Sequence, residues 1–503
     1  MATFPILTSD GDTIVTSDTF AVAVEDTSPP PSIGTMKQII HGKTYGDIGS
    51  GEPVTTLRGN FWSNEVGGEA AAVFKHRQLW SVAGSFSHLY VEILAPVENA
   101  AALSWDETTF TLQINGVDTA LTCTVPAMGP IAQNGFMASA SDTTHTVTVA
   151  PGDIVAIHRS PALTIHEHTN AEYAHMDWTL TFESENAGES GYGAGSAGSR
   201  INSDIQWCAL LNNQESAFVP VAALDSVSQT ELHSIVPLIG SLYRIDLQLE
   251  LPPGVGASWT FRVYKNGVKQ DGSGGTVDTT LVIADLATTG TVLFDLPLVP
   301  LDFLTLRVDV QTGATASTYI IMGCAFRAAT NGQSALCFNS AAGHPVIDGS
   351  TDWAAAQESG WAWTTPHSPT PTPAWRPTRW PSTELLVSLP GAIDPYTLSG
   401  FCVNLNAAPG SAKSYLFTTR KAFADTVSTV TLSGTTSPAS LLQTDPLNAS
   451  VDYTTITDRL NIECVGSGTP TAASVAWTWL MTTEAVPNTA TTFPIRRLRR
   501  WMP

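Results

Sequence analysis

The chain has 503 residues, 43% of them apolar and including 14 Trp and 18 Phe, enough for three or four ordinary cores. Lys and Arg number 23 against 45 Asp and Glu, a formal net charge of -22, which opposes an extended phosphate-binding surface and hence a general nucleic-acid partner. Charged residues make up only 14%, so much of the surface must be Ser, Thr, Asn and Gly or be covered by protein.

The opening MATFPILTSDGDTIV has no basic region followed by an apolar run, and no apolar stretch is long enough to span a bilayer, so neither a conventional signal peptide nor a membrane partner is expected. Residues 1–64 are expected to form an N-terminal arm and lead-in strands, with Pro29-Pro30-Pro31 marking an extended connection. Such an arm could cover its own chain or lie across a neighbouring subunit. Gly42-Lys43-Thr44 is not a phosphate loop, because the upstream glycine spacing is missing.

From there one unit recurs. Leu242, Arg244, Asp246, Gln248 and Glu250 alternate with Tyr243, Ile245, Leu247 and Leu249, the pattern of a half-buried strand. A turn-rich LPPGVGA leads to a second alternating run, Trp259 to Lys265, which ends at Asn266-Gly267, a pair suited to positive φ in a tight hairpin. The same order runs through Leu89 to Leu94, Thr108 to Ile114 and Asn115-Gly116, and again through Phe401 to Leu405 and Ser414 to Arg420. The third copy has Lys421-Ala-Phe-Ala in place of Asn-Gly. Phe110, Phe261 and Phe417 mark equivalent positions, spaced by 151 and 156 residues. Each copy continues through a turn containing Asp153, Asp302 or Asp458, where aspartate is expected to accept backbone N–H bonds, and closes on a strand carrying Trp178, Tyr319 or Trp477.

The predicted fold is therefore all-β: three tandem antiparallel β-sandwiches, a class that includes the jelly roll, with extended linkers and terminal arms. The expected sandwiches are residues 65–185, 204–327 and 384–485. A Gly/Ser-rich linker is expected over 186–203, a Trp/Pro-rich extended connection over 328–383 and a basic tail over 486–503. Trp353, Trp361, Trp363, Trp375 and Trp380 need apolar surface to lie on, and the intervening prolines pre-order the path, so this connection is a candidate interface. Arg496, Arg497, Arg499 and Arg500, with Trp501, form a second candidate interface for an acidic partner.

The chemistry of catalysis is not evident. No nucleophile elbow, zinc-peptidase helix or phosphate fingerprint occurs, so no catalytic residue, cofactor or metal ligand is assigned and no enzyme is expected. His166, His168 and His175 could approach one another across a hairpin, but they lack a clear four-ligand set and are expected to bind no structural metal. The six cysteines show no CxxC pairing and are read as small buried residues of a protein made in a reducing compartment, with a Cys324–Cys337 pair left open. Exposed tryptophans keep a glycan-binding reading alive.

The aromatic strands followed by Asn-Gly-Val, in FTLQINGVDTALTCTV and FRVYKNGVKQD, together with the Thr/Ala/Gly-rich short sandwich repeats, resemble those of tailed-bacteriophage virion proteins. The resemblance spans about residues 80–485 as a style of repeat. It implies an accessory head or tail component that is made in the host cytoplasm and located in the virion. It also implies a homo-oligomer, a trimer among the options, with other virion proteins as partners. A receptor- or glycan-binding tail protein, recognising a host-surface glycan, is the alternative, and a polysaccharide-active enzyme comes third.

Overall fold

A computed structural model describes residues 37–44, 77–95, 107–127, 135–160, 175–195, 234–313, 317–340, 392–405, 408–421, 424–434, 450–468 and 475–483, with short strands elsewhere. Three regions are each built from two packed antiparallel sheets, as the repeat predicts. Near the start, Ile6–Leu7, Thr13–Thr16 and Val22–Val24 form a small antiparallel sheet of their own.

The first domain runs, in chain order, through strands Lys37–Thr44, Thr56–Leu57, Gly84–Ala95, Thr108–Ile114, Val117–Val125, Gly135–Val149, Ile154–Ser160 and His175–Ser184. Numbered one to eight, they pair as 1-8-3-6 in one sheet and 2-7-4-5 in the other. In the second domain the strands are Glu189–Gly195, Gln206–Ala209, Gly240–Leu249, Gly254–Lys265, the split fifth strand Val268–Lys269 and Leu281–Asp285, then Thr289–Leu298, Phe303–Thr312 and Ile320–Ala328. The third comprises Gln333–Ser340, Thr351–Ala355, Tyr396–Leu405, Gly410–Lys421, Ala424–Gly434, the split sixth strand Leu441–Gln443 and Val451–Tyr453, then Leu460–Ser467 and Val475–Thr483. Both repeat the two pairing orders of the first domain. Two four-stranded sheets with this winding are a jelly roll.

Finer features repeat as well. The third strand of every domain carries a one-residue register shift against the eighth, between Ser87 and Tyr90 (opposite Thr181 and Thr179), Leu242 and Arg244, and Leu398 and Gly400. Phe110, Phe261 and Phe417 are all buried between their sheets, as are Trp178 and Trp477 of the eighth strands, whereas Tyr319 stands just before the eighth strand of the second domain and is only half-buried. In the first core Trp80 lies edge-on to Phe86 and Phe182, with ring centroids 4.9 and 4.7 Å away.

Two expected linkers turn out to contain strands. Residues 189–195, inside the expected Gly/Ser-rich linker, form the first strand of the second domain, with Tyr192 in its core. Likewise, 333–340 and 351–355, expected as extended connection, supply the first two strands of the third domain. The passage from one domain to the next is thereby reduced to Glu185–Gly188 and Ala329–Gly332, tight turns at Gly188 (φ 74) and Gly332 (φ 83).

Candidate functional site

The Asp-containing turns behave as expected. Asp153, Asp302 and Asp458 each accept the backbone N–H three residues upstream, from Ala150 (2.8 Å), Val299 (2.8 Å) and Thr455 (3.1 Å). The Asn-Gly hairpin has a further use that the sequence did not reveal. Asn115 and Asn266, at φ 54 and 51, each donate to the turn aspartate at 2.7 Å and accept the next backbone N–H, of Ile154 and Phe303, at 2.9 Å. In the third copy Lys421 reaches Asp458 at 3.1 Å instead. Asn-Gly is thus a clamp between two turns of one jelly roll.

Buried polar chemistry is concentrated where the domains meet, and the meetings follow one rule. The segment just before the third strand of each domain packs on strands one, three and eight of another. Gln78–Leu79 of the first domain lies against Glu189–Gly195, Gly240–Leu249 and Ile320–Ala328 of the second. Ser234–Ile235 of the second lies against Gln333–Ser340, Tyr396–Leu405 and Val475–Thr483 of the third. Asp394 of the third then meets Lys37, His88 and Thr181, on the same three strands of the first. The cycle closes.

Each contact has its own chemistry. Where first meets second, Ser81 donates to Asp246 at 2.6 Å, and the Gln38 amide exchanges hydrogen bonds with the Gly191 backbone at 2.9 and 3.0 Å. A Cβ on Gly323 would stand 2.4 Å from the Leu79 carbonyl oxygen, and one on Gly191 2.6 Å from the Trp80 ring. This close approach explains the glycine-rich composition of 189–195: that strand is covered on both faces. Where second meets third, Ile235, Leu301 and Cys402 form an apolar cluster, and the Tyr192 hydroxyl accepts from the Ala335 N–H at 2.9 Å.

The third-to-first seam is ionic. Arg459 donates to Glu92 at 2.6 Å and to Asp177 at 3.2 Å, and all three side chains are at most 7% exposed. Tyr90 donates to the other Glu92 oxygen at 3.0 Å, and burial, then the Glu92 charge, drives its hydroxyl well above the usual tyrosine range. Asp394 accepts from Lys37 at 2.7 Å, from Thr181 at 2.7 Å and from His88. Burial pushes the Asp394 carboxyl up, but these donors and the Lys37 charge outweigh it and leave the group below its ordinary value. Fully buried His41 lies edge-on to Tyr396 of the third domain at 6.3 Å, and desolvation lowers its imidazole to about 3. Among the described residues, the ion pairs that cross between domains are all at this seam.

Register shows how local this solution is. Glu92 and its partner Asp177 stand where the second domain has Gln248 and Ile321 and the third has Asn404 and Ala476. Arg459 follows its turn aspartate where Ile154 and Phe303 follow theirs.

Of the residues singled out in the sequence, Trp353 lies in a strand paired with Asn461–Val465, opposite Glu463. Trp361, Trp363, Trp375, Trp380, Arg496, Arg497, Arg499, Arg500 and Trp501 lie outside the described residues. So does His168; His166 is in a two-residue strand paired with Ser104–Trp105, and His175 begins an eighth strand. Cys123, Cys324 and Cys402 are buried, and the side chain of Cys337 lies outside the described residues. Arg159 is buried inside the first sandwich, where desolvation lowers it to about 10. The residues that sequence reasoning missed, Glu92, Asp177, Asp394 and Arg459, are charges at positions where the other copies are uncharged, a signal visible once the repeats are aligned strand by strand.

No family model matches the chain, and a search of curated proteins finds no match.

Proposed function

We propose that the chain is a structural component of a tailed-bacteriophage particle, an accessory head or tail protein that works through protein–protein contacts. The observation that carries this reading is the cyclic packing of three jelly rolls, in which buried charges and close backbone approaches are devoted to fixing one domain against the next. A rigid block of this kind suits a building element, and its Thr- and Ser-rich outer strands suit a surface in water. The sequence resemblance supplies the particle; jelly rolls as such serve many functions, so the fold adds support only by analogy.

The test is to raise antibodies against the purified chain and apply them to washed phage particles, alongside quantitative mass spectrometry of those particles. A fixed copy number per particle and regular labelling on head or tail are expected. A chain abundant in the infected-cell lysate but missing from washed particles would refute the assignment.

A further inference from the structure

One flank of the second domain departs from its sister domains. Its fifth and sixth strands, Leu281–Asp285 and Thr289–Leu298, are the outermost strands of their two sheets among the described residues, and they border the same side of the sandwich. Exposed on or beside them are Val282 (53%), Leu286 (70%) and Leu293 (67%), and Val255 (84%) follows Gly254, the register partner of Asp285. The sister domains act as internal controls. The position of Val282, opposite Thr260, is Thr124 opposite Thr109 in the first domain and Thr431 opposite Leu416 in the third. Along the sixth strand of the first domain the exposed run is Thr143, Thr144, His145 and Thr146. Two copies of one fold share the same need for solubility, so an apolar flank on the second domain where the first carries threonines reflects a contact that the first does not make.

We infer that this flank joins two copies of the chain across a two-fold axis, through antiparallel pairing of Thr289–Leu298 with itself. An outermost strand offers unpaired N–H and C=O groups along its length, and this one has no Lys or Arg to repel an added strand. Its sequence is compatible with self-pairing centred on Leu293: Leu293 meets Leu293, and Val292 meets Phe294. Asp295, the strand's one ionisable residue, faces Thr291 and never its own copy. Pro297, which cannot donate to a ladder, falls near the end of the paired stretch opposite Thr289, where its loss matters least. A ten-residue strand is about 33 Å long and the two sheets are about 10 Å apart, a strip of roughly 330 Å² per copy against roughly 800 Å² per partner in a standard interface, so the ladder hydrogen bonds must supply much of the affinity and the dimer is a weak one. The inference does not depend on the virion reading.

Sedimentation of the full chain from low to high micromolar concentration tests it. A monomer–dimer equilibrium above the 53.3 kDa monomer is expected. It should tighten as salt rises, because two chains of net charge -22 repel each other and screening relieves that repulsion. Leu293→Glu should weaken the dimer at least tenfold, whereas Thr146→Glu, on the equivalent strand of the first domain, should leave it intact. Leu293→Cys should form an intermolecular disulfide under mild oxidation, since facing residues in an antiparallel pair have Cα atoms about 4.5–5.5 Å apart. A wild-type chain that stays monomeric throughout overturns the inference, as does a dimer indifferent to Leu293→Glu. A dimer in which Leu293→Cys fails to cross-link overturns the proposed register. Leu293 is mostly exposed, so its substitutions spare the core, and an unchanged circular dichroism spectrum separates lost pairing from lost folding.

Discussion

Replacing Arg459 by Phe should open the third-to-first seam. The substitution puts at this position the residue that the second domain carries there, Phe303, but leaves Glu92 and Asp177 buried at 2% and 0% side-chain exposure without their cation. Removing one partner of a buried pair costs about 3–5 kcal/mol, most of it the penalty of stranding the remaining charge. At about 1.4 kcal/mol per tenfold, the opening equilibrium of the seam should rise by roughly two to three and a half orders of magnitude. The chain also contains the remedy. Combining Arg459→Phe with Glu92→Asn and Asp177→Ala copies the residues found where second meets third, and should return the opening equilibrium to within about tenfold of wild type, since a packed uncharged replacement is often neutral or stabilising. Native-state hydrogen exchange suits a three-domain chain better than a single melting curve, because it reads sub-global opening directly. Amides of Gly84–Ala95 and His175–Ser184 should lose protection in the single variant and regain it in the triple. Unchanged protection in Arg459→Phe, or a triple variant as loose as the single, would refute the assignment of this cluster to domain closure.

Acid should weaken the same seam. His41 is held neutral with its value lowered to about 3, so between the ordinary histidine value near 6.5 and that point the unfolded chain binds the extra proton, and stability falls as pH falls, by at most about 1.4 kcal/mol per unit. Denaturation at pH 7 and pH 5 should therefore show a loss that His41→Gln reduces; an equal loss in both proteins would contradict the assignment. Asp394, held below its ordinary value, adds stability that is present above the unfolded carboxyl value near 3.9 and disappears as pH drops through its lower folded value, so Asp394→Asn should weaken the seam at pH 7 and matter least at the acid extreme. Gly323→Ala drives a methyl into the Leu79 carbonyl oxygen and should cost about 1–3 kcal/mol at the first-to-second contact, read as lost amide protection in Ile320–Ala328. Asn266→Ala removes both side-chain bonds to the Asp302 turn and places alanine at positive φ, for an expected loss of about 1–3 kcal/mol in chemical denaturation, and no loss would show the clamp to be dispensable.

The sandwich repeat was legible because strand alternation, the Asn-Gly hairpins and the Asp turns are local signals, each carried by a few neighbouring residues. Phe110, Phe261 and Phe417 could be matched before any strand order was known, and all three are core residues. The first strands of the second and third domains were not legible, since GYGAG and ALCFN read as weak strands when judged by their own side chains. Their small residues answer to a neighbouring domain: Gly191 meets the Trp80 ring, and Ala335 meets the Tyr192 hydroxyl. The seam charges were hidden for a similar reason. Arg459 lies 367 residues from Glu92 and 282 from Asp177, and only the cyclic order of the domains brings them together.

That cyclic order is tested most directly by three distances. Thr124, Val282 and Thr431 occupy the same exposed position on the fifth strand of the three domains. Spin labels on cysteines introduced in pairs at 124 and 282, 282 and 431, and 431 and 124, diluted with unlabelled chain to remove distances between molecules, can be read by pulsed electron resonance. Closure of the third domain onto the first predicts three distances that agree to within a few ångströms, whereas domains strung in a line would put 124 and 431 roughly twice as far apart as either neighbouring pair and contradict the account.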